Sequence, residues 1–240
     1  MEEIMAEPHL HKLFIGKVKQ MGKVDAENPL ERKWESGIFK EEAKGKVWLS
    51  KTGFAGDEVA DKKIHGGPEK AVFCYPIKHY TYWQEKYDRD DMVMGGMGEN
   101  FAVLEMDEFT VCIGDTYKVG DAVIQVSQPR QPCWKPARRF QIMDLALEIQ
   151  NTGRTGWYFR VLEEGYVWAD SPIDLIDRPY PQWTIQAANE VMHFYKDDLR
   201  LADELASCEL LAENWVRRLR RRLRGQESDI TKRIYGPNKE

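Results

Sequence analysis

The apolar positions of this chain come in short runs. Residues 13–18 (LFIGKV), 34–39, 47–49, 71–75 (AVFCY), 157–162, 166–169 and 173–176 are rich in β-branched and aromatic side chains and bounded by Gly, Pro or charge. That pattern predicts strands. Residues 109–126 predict two more strand-like runs, split at KVGD (118–121), where Gly120 and Asp121 signal a hairpin. Helical spacing occurs at two places in the first 180 residues. After Pro76, Tyr80, Trp83 and Tyr87 recur on one face, which reads as core packing. Over 142–150, Ile142, Leu145, Ala146 and Ile149 do the same, closed by Asn151, Thr152 and Gly153. Many short strands with few helices point to a barrel or sandwich rather than a parallel α/β sheet.

The pattern changes after RPYP (178–181). Residues 184–193, 197–206 and 211–224 read as three helices. Thr184 can cap the first, and Asp197 and Asp198 favour the start of the second through the helix dipole. The third carries Arg217, Arg218, Arg220, Arg221, Arg222 and Arg224 before a Gly225 stop. Two units follow, a β-rich domain over 1–180 and a small helical domain over 181–240. The arginine run suits either an anionic partner or a solvated helix end.

Composition narrows the class. The 240 residues are 42% hydrophobic with a formal net charge of -5. This is a globular chain, and the acidic balance argues against a nucleic-acid partner bound by a globally basic surface. Residues 1–12 carry acids and no apolar leader core, and no apolar run is long enough to cross a bilayer, so no membrane role is expected. The four cysteines, Cys74, Cys112, Cys133 and Cys208, are scattered without CxxC spacing. That argues against a zinc ribbon, a redox dithiol or an iron–sulfur cluster, and suits a reducing, cytoplasmic setting.

Candidate chemistry centres on QPRQPCWKP (128–136). Cys133 sits between Pro132 and Pro136, with Arg130 and Lys135 close by. Prolines fix φ and remove donors, so the stretch reads as a stiff loop holding one thiol. Nearby cations favour thiolate, the form that attacks electrophiles or binds soft metals. The alternative is a buried structural cysteine. KKIHGGPEK (62–70) offers His65 as a proton donor and Gly66–Gly67 as a backbone cradle for an anion, or simply a structural turn. GENF (98–101) pairs Glu99, a candidate proton carrier, with Asn100, a candidate ligand-orienting amide. NTGRTGWY (151–158) places Arg154 just after Gly153 as a candidate phosphate clamp. Lys51, Thr52 and Arg138 are further candidates in loop sequence. No GxGxxG, Walker A, HExxH or GxSxG motif is present.

Taken together, residues 54–76, 98–103, 114–135 and 151–161 and the helical region resemble the MOSC-domain family, named for the C-terminal domain of molybdenum cofactor sulfurase, and within it the YiiM-like group. The resemblance implies a mainly β, MOSC-type barrel-like domain with a few helices, followed by a small three-helix domain. It implies a mononuclear molybdenum held by one pyranopterin dithiolene, with Cys133 as protein ligand. It implies reduction of N-hydroxylated compounds, such as the purine base analogue 6-hydroxylaminopurine, to amines, a detoxification reaction. Cys133, His65, Glu99 and Asn100 are then the catalytic candidates. Lys51, Thr52, His65, Gly66, Gly67, Asn100, Arg130, Arg138, Gly153 and Arg154 join Cys133 as cofactor-binding candidates. Removing oxygen from N–OH takes two electrons and protons. With no flavin fingerprint in the chain, an external donor is expected, a flavin reductase-type protein, and a homodimer stays open. The competing readings are a cofactor carrier or persulfide carrier using the same Cys133, and an adaptor for nucleic acid using the arginine-rich helix.

Overall fold

The computed structural model describes residues 7–226 and 229–239. Readings that touch residues 1–6, 227–228 or 240 lie outside them. The first strands are β1 (His9–Ile15), β2 (Lys19–Met21), β3 (Trp34–Ser36), β4 (Glu41–Glu42), β5 (Val47–Ser50) and β6 (Gly53–Phe54). A short helix α1 (Lys62–His65) leads to β7 (Val72–Pro76), α2 (Lys78–Tyr87) and β8 (Phe101–Leu104). The hairpin of β9 (Thr116–Val119) and β10 (Ala122–Pro129) precedes α3 (Lys135–Phe140) and α4 (Leu145–Thr152). Then come β11 (Trp157–Glu163), β12 (Gly165–Val167) and β13 (Ser171–Asp177).

The strands close a barrel in the order β13-β9-β10-β11-β7-β8-β1, and β1 returns to β13 through His9–Pro172 and Leu10–Ser171. Closure leaves no open edge on these strands. Among the described barrel strands only the β7–β8 pair is parallel, and its crossover carries α2. Leu10, Leu13, Val72, Phe101, Ile124, Val126, Trp157 and Phe159 fill the interior and are fully buried. Each such side chain contributes roughly 1.5–3 kcal/mol by leaving water.

Helices α5 (Ile185–His193), α6 (Leu199–Ala206) and α7 (Glu213–Leu223) extend this core rather than building their own. Thr184 Oγ1 accepts from Ala187 N–H at 3.0 Å, and Asp198 Oδ1 from Leu201 N–H at 2.9 Å, the two caps expected of these residue types. Ile185, Ala188, Leu205, Trp215 and Leu219 belong to the same buried cluster as the barrel interior. After α7 the chain turns back, and α8 (Thr231–Ile234) crosses the loop that carries Cys133.

The local expectations need correction at several points. The first strand begins at His9. Strand β3 stops at Ser36, whose Oγ accepts from Ile38 N–H at 3.2 Å and turns the chain. Residues 109–113 are not a strand: Asp107 Oδ1 accepts from the Phe109 and Thr110 N–H groups at 2.8 and 3.0 Å, an Asx turn. The chain over 50–72, rich in glycine and charge and without apolar periodicity, contains β6, α1 and a 3-10 turn at Pro68–Lys70. In the cysteine stretch, Gln128 and Pro129 finish β10 while Lys135 and Pro136 open α3, so the loop proper is 130–134.

Candidate functional site

Loop 130–134 is fixed at both ends. Arg130 N–H donates to Gly156 O at 3.0 Å, and Trp134 N–H donates to Arg233 O at 3.0 Å. Gly156 must be glycine: its φ is +67°, and a Cβ there would sit 2.3 Å from Cys74 O. The loop forms one side of a cavity of about 140 Å³, onto which Cys133 opens half-buried. The chain over 57–70 brings Asp57, His65, Gly66 and Lys70 to it, β7 brings Phe73, and β11 brings Tyr158.

Charge around the thiol is one-sided. Burial by itself would push the Cys133 thiol up. A hydrogen bond from His65, the charges of His65 and Arg130, and the Lys135 backbone N–H outweigh it and bring the thiol down to about 6. At neutral pH the sulfur is therefore a thiolate. Lys70 and Arg233 also feel its charge, although burial lowers both. The Arg130 guanidinium lies 4.8 Å over the Phe73 ring.

Three buried nitrogens on residues lining this cavity have no hydrogen-bond partner: His65 Nδ1, Arg130 Nη1 and Gln131 Nε2. Buried polar groups are nearly always paired, and an unpaired one costs about 1–3 kcal/mol. Three together beside a thiolate form a receptor for a polar, anionic ligand that also offers a soft atom or metal to sulfur.

Asn100 and Asp57 belong to the same lining. Asn100 Oδ1 accepts from Phe73 N–H at 3.1 Å, and its amide donates to Phe14 O at 3.1 Å and Asp57 Oδ2 at 2.9 Å. Asp57 Oδ1 accepts from Gly16 N–H at 2.8 Å and from the buried Lys40 ammonium. Asn100 thus ties β1, β7 and the 54–58 turn together while forming part of the wall.

Other sequence candidates stand elsewhere. Thr52 is on the cavity, but Lys51 is not. The Lys51 ammonium donates to Val161 O at 3.1 Å and to Leu162 O, and its N–H to Glu164 Oε1 at 2.7 Å. Gly67 adopts φ +94° beside Gly66 and lets the chain turn into Pro68–Lys70. Glu99 is fully buried away from the cavity. Its Oε1 accepts from Tyr80 O–H and Gly95 N–H, both at 2.6 Å, and its Oε2 from Met97 N–H at 3.1 Å. It organises the 94–98 turn, and burial holds its carboxyl above the usual carboxylate range. Arg138 is buried against Asn238 Oδ1 (2.7 Å) and Arg32 O (3.1 Å) and lies 4.9 Å over Trp134. Gly153 is the left-handed cap of α4, and Arg154 stacks 3.7 Å over Tyr82. None of Arg138, Gly153 and Arg154 lines the cavity.

Sequence reasoning missed Lys40, Asp57, Lys70, Phe73, Gln131 and Tyr158. Lys70 lies inside the glycine stretch 62–70, Asp57 and Phe73 inside the 54–76 region that carried the resemblance, and Gln131 inside the cysteine stretch. Lys40 has no local signal: the β1–β4 pairing and the Gly16–Asp57 hydrogen bond at the end of β1 bring it to Asp57.

The chain matches the MOSC domain over residues 61–174 and the YiiM-like 3-alpha helix domain over 183–226. It is 38% identical over 204 residues to protein YiiM of Escherichia coli, covering 84% of this chain and 91% of that one. It is 40% identical over 176 residues to a protein named Reductase from Gibberella moniliformis, covering 72% of this chain but 31% of that protein. The crystal structure of YiiM from Geobacillus stearothermophilus superposes with a TM-score of 0.75 at 32% identity, over 90% of this chain and 99% of the other.

Proposed function

The chain belongs to the YiiM-like MOSC-domain family, and from that premise we propose that it is a molybdenum-cofactor-dependent reductase of N-hydroxylated compounds. The observation that carries the reading is a thiolate-biased Cys133 facing a cavity where His65 Nδ1, Arg130 Nη1 and Gln131 Nε2 lack partners. These residues fit the cofactor: one soft sulfur for the metal, and cationic and amide donors for an anionic pterin. Cys133 would ligate the molybdenum, while Arg130, Gln131 and Lys70 would hold the polar parts of the cofactor.

When bound, the cofactor supplies two-electron removal of an oxygen atom, the chemistry no side chain can perform. The overall change is R–NHOH plus two electrons and two protons giving R–NH₂ and water. The chain's own residues do the rest. His65 donates to the sulfur through one ring nitrogen, so its unpartnered Nδ1 is the group available to pass a proton to the departing oxygen. Asn100 and Asp57, hydrogen-bonded to each other, hold another part of the lining in place. Phe54, Phe73, Met97 and Tyr158 give apolar surface against which a flat heteroaromatic base can lie and from which water is excluded. The two electrons come from outside the chain, in this reading from a flavin reductase-type partner.

The test is amine formation from 6-hydroxylaminopurine by purified, molybdenum-loaded protein with an artificial electron donor. Turnover that tracks molybdenum content is expected. Cofactor-loaded protein without turnover would overturn the reductase reading in favour of a cofactor carrier, and a persulfide on Cys133 in molybdenum-free protein would favour a sulfur carrier.

A further inference from the structure

The arginine-rich helix α7 lends no residue to the lining of the cysteine cavity. Its arginines divide in two. Arg217, Arg220, Arg221 and Arg224 are exposed, whereas Arg218 and Arg222, one helical turn apart, are drawn inward. Arg222 donates to Val191 O and Met192 O at 2.7 and 2.6 Å and so caps the last turn of α5. Arg218 donates to Gln131 Oε1 at 2.7 Å. Beside them lies a small recess that also takes in His193 of α5 and Lys196 just after it. None of its lining residues lines the cysteine cavity, and none of those described is a carboxylate.

The charges here oppose one another. Burial lowers Arg218, and Arg222 and Arg221 lower it further. Burial followed by the charge of Arg218 brings the neighbouring Arg233 of α8 down to about 10. Burial and then Arg233, Arg218, Arg222 and Lys196 keep His193 neutral. Two nitrogens in this group, His193 Nε2 and Arg233 Nε, are buried without a partner. The remaining Arg233 nitrogens are held by Gln150 Oε1 at 2.5 Å and by Pro132 O. Half-buried like charges with open nitrogens are an unfavourable arrangement that an anion would relieve.

We infer that the recess between α5 and α7 binds one phosphate group, as inorganic phosphate or as the phosphate of a small phosphorylated molecule. Lys196 and Arg218 supply charge from the lining, Arg233 adds positive potential from beside it, and His193 supplies a nitrogen that becomes a charged donor once the anion is present. A duplex nucleic acid would instead read the four exposed arginines. The site sits behind the cysteine loop, which Arg218 and Arg233 hold through Gln131 and Pro132.

The experiment titrates the full-length chain with inorganic phosphate at constant ionic strength, followed by ³¹P line broadening and calorimetry. Saturable one-site binding is expected. Lys196→Met, an exposed position whose loss leaves the packing intact, and Arg218→Gln should each weaken it about tenfold or more, as loss of a charge-assisted hydrogen bond does. Arg217→Gln and Arg130→Met should leave it unchanged. Competition by adenosine monophosphate would assign the site to phosphorylated small molecules, and phosphate binding without competition would assign it to the free ion. The inference is overturned by absence of saturable binding, by binding lost in Arg130→Met but kept in Lys196→Met and Arg218→Gln, or by binding of duplex DNA alone.

Discussion

Two buried polar regions of this molecule use the same residue types to opposite ends. Around Glu99 every group is matched: Tyr80 O–H, Gly95 N–H and Met97 N–H converge on its carboxylate. Nearby, His79 and Glu108 lie 2.8 Å apart, and Glu108 Oε1 accepts from Gly156 N–H at 2.8 Å. Around Cys133, three buried nitrogens are left open. Satisfied polar clusters hold a fold together, whereas open ones wait for a ligand. GENF straddles the divide: Asn100 reaches the cavity wall while its neighbour Glu99 faces the other way.

Removing one residue from each region breaks the comparison most severely if it is wrong. Cys133→Ala should abolish turnover and molybdenum retention. Its Tm should move by less than about 2–4 °C, the shift that 1 kcal/mol produces in a chain of this size. Full metal occupancy in that variant would sink the ligand assignment. Glu99→Ala should do the reverse. It strands the Tyr80 O–H and the Gly95 N–H, while the Met97 N–H keeps Tyr80 Oη at 3.0 Å, and should destabilise by about 2–4 kcal/mol, read by urea or thermal unfolding. Folded Glu99→Ala should keep the reactivity of Cys133. A variant that stays stable yet loses turnover would make Glu99 a proton carrier after all.

A pH profile sharpens the contrast. The thiol pKa values of Cys74, Cys112 and Cys208 are all raised, chiefly by burial, so only Cys133 should alkylate with iodoacetamide below neutrality. Its rate should rise through about pH 6, because the reactive thiolate forms above the pKa. His65→Gln removes the hydrogen bond that opposes burial, and the midpoint should move up by about one unit or more. The linkage has a definite sign. The folded pKa lies below that of a free thiol, about 8.5. The thiolate's stabilising contribution is therefore full above that value and lost as pH falls through about 6. A midpoint near 8.5 in cofactor-free protein would remove the electrostatic part of the site.

Much of the fold was legible because it rests on local patterns. Short apolar runs mark β7, β10 and β11, and Thr184 and Asp198 mark helix starts by their own side chains. The short paired segments at Lys19–Met21 and Glu41–Glu42 were not, since they are mostly exposed and carry no alternation. Of the site, Cys133, His65, Gly66 and Arg130 were readable, because a thiol between prolines and a His-Gly-Gly turn are local signals. Lys40 was not: its pairing with Asp57 spans 17 residues and depends on the non-local pairing of β4 with β1. Arg138 and Arg154 misled because a cation in a loop looks the same whether it faces a phosphate or an aromatic ring. Only tertiary packing separates the two.

The smallest effect gives the finest discrimination. Arg154 lies 3.7 Å over the Tyr82 ring and is absent from the cavity lining. A cation over a partly exposed ring is worth about 0.5–1 kcal/mol. Arg154→Ala should therefore lower stability by no more than that and leave molybdenum content and KM unchanged. The carbonyl of residue 154, which accepts from Tyr75 O–H at 3.2 Å, survives the substitution, so the backbone of the 153–156 turn should hold. Arg130→Met, also made to lose a cation over a ring, should instead weaken cofactor retention strongly, because Arg130 Nη1 is one of the three open nitrogens beside Cys133. If the two substitutions reduce cofactor content alike, proximity to the unpaired donors does not separate ligand-binding cations from structural ones in this chain.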